Sequence, residues 1–114
     1  MTLDKDQYPT VSERFLELLA KEAELFTNKN HDYASGGSET GNFDRVASIL
    51  TLYPTFPYNT RQGVAITYML KQIDAIIWGL SQKITHKVEG IQGRTEDVSV
   101  YAKLIRIMCE RDEL

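Results

Sequence analysis

The chain has 114 residues, enough to close one hydrophobic core and too few for two, so a single domain over 1–114 with residues 1–9 as an N-terminal tail is expected. Lys and Arg number 13 against 16 Asp and Glu, and no basic run occurs, so the electrostatic footprint of a duplex nucleic-acid binder is missing. The single cysteine, Cys109, excludes an intrachain disulfide, and His31 and His86 are not spaced as a zinc-binding pair.

The opening MTLDKDQYPT carries acidic residues where a secretory signal has a basic region and an apolar run. No segment reaches the apolar length of a membrane span, so no membrane partner is expected and a soluble, cytoplasmic protein is. The C-terminal RDEL resembles an endoplasmic-reticulum retention address, which is read as coincidence without a signal peptide.

A first helix is predicted from Thr10, where TVSE has the form of a capping box with Glu13 reaching back. Val11, Phe15, Leu18, Leu19, Leu25 and Phe26 recur at helical spacing, and the helix is expected to end near Lys29. The stretch NHDYASGGSETGN is too rich in Gly, Ser, Asn and Asp to bury a face and reads as a loop. Phe43, Val46, Ala47 and Leu50 predict a short helix over Asn42–Leu52, stopped by the prolines of TLYPTFPYNT; Asn42 and Phe43 open it, with two readings, a helix start whose backbone N–H groups hold an anion or Asn42 as an ordinary N-cap. Tyr53, Phe56 and Tyr58 in that connection are apolar enough to fold onto the core or to meet another subunit.

From about Thr60 to Gln82, Val64, Tyr68, Ile73, Ile76, Ile77 and Leu80 give a long helix a broad apolar surface, which places it centrally. KITHKVEGIQG reads as a second loop, and a last helix is predicted over Arg94–Glu110. No hairpin signal, repeat or low-complexity tract is present. The expected fold is all-α, a helical bundle of three long helices plus one short helix.

Polar residues stand out against this apolar pattern. Lys71 and Asp74 lie three apart inside YMLKQIDAIIWGL, the spacing of a helical ion pair. Asp97 and Tyr101 lie one turn apart on a common face, with Glu89 just before the same helix. Arg94 opens that helix, an unfavourable place for a cation by the macrodipole, so a phosphate or a neighbouring carboxylate is a reasonable partner. Asp32 and Tyr33 open two readings: a ring that stacks on a base beneath a closing loop, or a turn cap beside a ring packed on the bundle edge.

Taken as a series, NKNHDYASG, KQIDAIIWGL and EGIQGRTEDVSVYAKL resemble the nucleotide modification associated domain, a largely phage-encoded group related to the MazG-like all-α nucleoside triphosphate pyrophosphohydrolases. Lys29, Asp32, Tyr33 and Ala34 match that family's motif after the first helix, and Glu89, Ile91, Asp97, Tyr101 and Ala102 match its last-helix pattern. Two positions depart from it. Leu70 stands where the family has an acidic residue, and Asp74 where it has Arg, so one ligand is lost or moved a turn to Asp74.

The resemblance implies a magnesium-dependent enzyme in a bacterial host cytoplasm that cleaves an NTP or dNTP to the monophosphate and pyrophosphate. Asp74, Glu89 and Asp97 would hold the metal, Lys71 and Asp97 would be catalytic, and Lys29, Asp32, Tyr33, Arg94 and Tyr101 would bind substrate. It also implies a homo-oligomer with sites between subunits. The alternative on the same scaffold is a non-catalytic phage protein that sequesters a nucleotide signal, with Lys29, Lys71, Arg94 and aromatic rings presented to an anionic ligand.

Overall fold

The computed structural model describes residues 3–33, 37–83 and 90–114. Glu89, Ala34 and His86 lie outside the described residues. Four α-helices follow in order, α1 (Glu13–Tyr33), α2 (Gly41–Thr51), α3 (Arg61–Gln82) and α4 (Ile91–Arg111), and no strand occurs among the described residues. The all-α expectation therefore holds. None of these helices is long and apolar enough to cross a membrane.

The boundaries follow local chemistry, with three shifts. The cap of α1 is Ser12 rather than Thr10: its Oγ accepts from the Phe15 amide at 3.2 Å. Turns through residues 4–11 lead into that cap, with Gln7, Tyr8 and Val11 each donating to the carbonyl three residues back. At its other end α1 runs one turn beyond Lys29, through residues of modest helix propensity held by tertiary contacts of Asp32 and Tyr33. The last helix starts a turn earlier than predicted, with Gly90 as its extended N-cap.

Thr60 caps α3 as its sequence position suggested. Its Oγ1 accepts from the Gly63 amide at 3.1 Å and donates to the Pro57 carbonyl at 2.8 Å, tying the proline-rich connection to the helix. In α2 the cap position is Thr40, so Asn42 is not a cap but the second helical residue, and it is buried.

The helix α3 is the hub, packing against α4 most extensively, then α2, then α1. The α3–α4 pair is antiparallel, because Asp112, just past the end of α4, accepts from Arg61 at 2.6 Å and from Gln62 at the start of α3. Hydrogen bonds from Arg61, then Gln62, hold the Asp112 carboxyl below the usual carboxylate range. Among the described residues the apolar core is small: Leu16, Val46 and Ala75 are its buried hydrophobic residues, while Asp32, Asn42, Gln62, Gln72, Asp74 and Arg94 are buried polar ones. Tyr68, Ile77 and Leu80, whose spacing marked α3 as central, face outward.

Candidate functional site

The C-terminal half of α1, the start of α2 and the middle of α3 meet around a cleft of about 210 Å³ lined by Phe26, Lys29, Asn30, Tyr33, Glu39, Asn42, Phe43 and Lys71. Three residues singled out in the sequence, Lys29, Tyr33 and Lys71, thus arrive at one place from two helices. The Lys71 ammonium lies 5.5 Å from the centre of the Tyr33 ring. Larger hollows along the back of α1 are lined by exposed residues such as Lys5, Glu17 and Lys21, with no comparable convergence of rings and cations.

Tyr33 is positioned from behind by Arg94. The guanidinium sits 4.8 Å from the ring centre, and its Nη1 donates to the phenol oxygen at 3.0 Å and to Gln72 Oε1 at 2.8 Å. Its Nη2 faces Asp32 Oδ2 at 3.4 Å, with both side chains at most 1% exposed. A cation in the first turns of α4 opposes the helix dipole, and Asp32 offsets it. Of the partners open to Arg94 at the sequence level, the carboxylate is the one observed. Asp32 is neither a turn cap nor a wall of the cleft; it lies in the last turn of α1, behind Tyr33.

The cluster continues to Asp97, half-buried, whose Oδ2 accepts from Gln72 Nε2 at 3.3 Å. Tyr101, one turn on, packs edge-to-face on Tyr68 at 6.3 Å and lines a different groove between α3 and α4. The shared face of Asp97 and Tyr101 therefore does not deliver both to the cleft.

Asp74 corrects a second expectation. Its partner is not Lys71 but Arg45 of α2, which donates through Nε to Oδ1 at 2.6 Å and through Nη2 to Oδ2 at 2.8 Å. Asn42 adds a bond to Oδ2 at 3.1 Å. A helix presents residues three apart on neighbouring but not identical lines, and here Asp74 faces inward while Lys71 stays exposed at the cleft. The hydrogen bond to Asp74 also raises the pKa of Arg45. The same guanidinium lies 4.2 Å over the ring of Trp78, whose Nε1–H is buried with no partner among the described residues.

These pairings bear on a metal. A bidentate guanidinium and an amide already occupy both oxygens of Asp74, so as placed it does not fit the role of a magnesium ligand. Glu89 lies outside the described residues, and no group of three or more His, Cys, Asp or Glu able to hold a metal occurs among the described ones.

Phe26, Asn30 and Glu39 on the cleft wall, and Arg45 and Gln72 behind it, are the site residues that sequence reasoning missed. Arg45 carried a usable signal, a cation beside Val46 inside the otherwise apolar pattern of NFDRVASIL. Replacing it with Met is expected to cost about 2–3 kcal/mol, because Asp74 would be left buried with only Asn42. Trp78 is the sole tryptophan, so the same variant should shift the emission maximum, read by fluorescence alongside urea unfolding. Unchanged emission would contradict the stacking of Arg45 on Trp78.

No family model matches the chain, and no curated protein or solved structure matches it.

Proposed function

We propose that the protein binds a nucleotide or nucleotide-like phosphorylated small molecule in the cleft between α1, α2 and α3. The observation that carries this reading is the convergence of Lys29, Lys71 and the N-terminal turn of α2 with the rings of Phe26, Tyr33 and Phe43. Two ammonium groups and the positive end of a helix suit phosphate, and aromatic faces suit a base. Among the described residues Glu39 is the one carboxylate on the wall, since Asp32 and Asp74 are turned to Arg94 and Arg45.

A volume of about 210 Å³ is below the roughly 300–1,000 Å³ of pockets that enclose a drug-sized ligand. The cleft would then hold the phosphorylated end, with the remainder lying over the exposed rings of Phe26 and Phe43. The resemblance to the nucleotide modification associated domain supports the same ligand class through Lys29 and Tyr33.

A second reading, pyrophosphohydrolysis of an NTP or dNTP, draws on Asp97. That carboxylate is half-buried next to Gln72 and joined through it to the Arg94–Tyr33 cluster. It would be the residue most suited to help orient a water or metal.

Titration calorimetry with nucleoside mono-, di- and triphosphates, run beside a pyrophosphate-release assay with and without magnesium, separates the two. Intact retention of a nucleotide supports the binder; magnesium-dependent pyrophosphate supports the enzyme. Charge-assisted hydrogen bonds contribute about 1.5–3 kcal/mol, so Lys71→Ala and Lys29→Ala should each weaken binding about 10- to 100-fold, more so at low salt. Affinity unchanged in both variants would remove the cleft as the site.

A further inference from the structure

The cleft carries less positive charge than its lysines suggest. Lys29 and Lys71 bring two ammonium groups to the wall and Glu39 brings one carboxylate, so a single positive charge is left in excess among the described residues of the wall. Behind the wall, Arg94 faces Asp32 at 3.4 Å and Arg45 holds Asp74 at 2.6 Å, so each guanidinium is neutralised in place and neither adds net charge to the cleft. The start of α2 is compensated too. Glu39 lies just before the Thr40 cap, and Asp44 in the first turn accepts from the Thr40 hydroxyl at 3.0 Å, which sets carboxylates against the positive end of the helix dipole.

That charge bounds the number of phosphates. A phosphomonoester carries about −1.5 to −2 at neutral pH, close to what one excess ammonium and a helix start can meet. The further phosphates of a triphosphate would add negative charge to a wall that holds Glu39, with no third Lys or Arg among its described residues to meet them.

The wall also calls for hydrogen-bond donors on its ligand. An ionised carboxylate only accepts, so a ligand that covers Glu39 has to bring it O–H or N–H groups. Asn42 adds a second acceptor: its Nδ2 donates to Asp74 Oδ2 at 3.1 Å, which turns its Oδ1 away from that carboxylate. The cations and the acceptors are presented from different elements, Lys29 from α1 and Lys71 from α3 against Glu39 and Asn42 from the turn before α2 and its first residues. A ligand with an anionic end and a donor-bearing body suits this division. In a nucleotide whose base lies over Phe26 and Phe43, the part that adjoins the phosphate is the sugar, and its donors are hydroxyls.

Building on the nucleotide reading of this cleft, we infer that it is selective for a ribonucleoside monophosphate and that Glu39 is the specificity-determining residue. Its carboxylate accepts from the ribose hydroxyls and repels any further phosphate. A carboxylate on the 2′-hydroxyl is a contact that separates ribose from deoxyribose.

Glu39 is exposed on a turn, so its variants are expected to keep the circular dichroism of the wild-type chain. Titration calorimetry of the full chain with AMP, 2′-deoxy-AMP and ATP, the last with and without magnesium, tests the inference, with the guanine, cytosine and uracil counterparts in parallel. For the base that binds best, the monophosphate is expected to bind at least about 10-fold tighter than the triphosphate and about 10-fold tighter than its 2′-deoxy form. Glu39→Ala should abolish the ribose preference. Glu39→Gln, which removes the charge and keeps an acceptor, should tighten triphosphate binding about 10-fold and keep part of that preference. A triphosphate bound as tightly as the monophosphate overturns the proposal, and so do ratios that neither Glu39 variant changes. If Lys71→Ala still weakens binding in those cases, the cleft stands as a nucleotide site without this selectivity. No binding of any of these nucleotides, or binding that Lys71→Ala leaves unchanged, overturns the nucleotide reading itself and the proposal with it.

Discussion

Replacing Asp32 with Asn is expected to lower the stability of the protein by about 3–5 kcal/mol, among the largest effects of any conservative change in the chain. Asp32 and Arg94 are at most 1% exposed, so the change removes a counter-charge from a guanidinium held in a dry interior. Gln72 and the Tyr33 phenol still accept from Arg94, which holds the expected loss toward the lower end of that range. Urea unfolding followed by circular dichroism would measure it. A loss under about 1 kcal/mol would show that the pair is not isolated from water.

The consequence reaches the cleft. Arg94 is the group behind Tyr33, touching both its ring and its hydroxyl, so an Arg94 that moves takes the cleft wall with it. Asp32→Asn should therefore weaken nucleotide binding even though Asp32 does not line the cleft. Pairing it with Arg94→Met removes both charges and should restore part of the stability, since an apolar replacement of a buried ion pair is often close to neutral. It should not restore binding, because the support of Tyr33 is gone. Recovery of both together would mean that Tyr33 holds its place without Arg94.

How much of this was legible in the sequence depended on the range of the interactions that decide each feature. The start of α3 was readable because Pro54, Pro57 and Thr60 act on their immediate neighbours, through missing donors and a cap. The last turn of α1 was not. His31, Asp32 and Tyr33 look like the beginning of a polar loop, and what keeps them helical includes a contact with Arg94, 62 residues away in sequence. Asp74 misled for the same reason: Lys71 was the cation in view three residues back, while the true partner, Arg45, lies 29 residues earlier on another helix. Helical periodicity located the apolar positions of α3 correctly but carries no information about which of them a neighbour covers. The outward Tyr68, Ile77 and Leu80 are the result.

Gly63→Ala is expected to destabilise the protein by at least about 2 kcal/mol, although Ala is the better helix former by about 1 kcal/mol. A Cβ built on Gly63 would lie 1.9 Å from the Pro57 carbonyl oxygen and 2.8 Å from its carbon. That contact is backbone against backbone, so no side-chain rotamer can relieve it. The Pro57 carbonyl is also the acceptor for both the amide and the hydroxyl of Thr60, and the same hydroxyl caps the Gly63 amide. Moving the carbonyl away to admit a methyl group would thus pull on the cap of α3, and a lost cap costs about 1 kcal/mol more. Gly90, where an added Cβ meets nothing within 4 Å, supplies the comparison: Gly90→Ala should change stability by no more than about 1 kcal/mol. Thermal unfolding of the two variants side by side would decide the matter. Equal melting temperatures would mean that the proline-rich connection does not rest on α3 at Gly63, and a Gly63→Ala protein more stable than wild type would mean that helix propensity, rather than this close approach, governs the position.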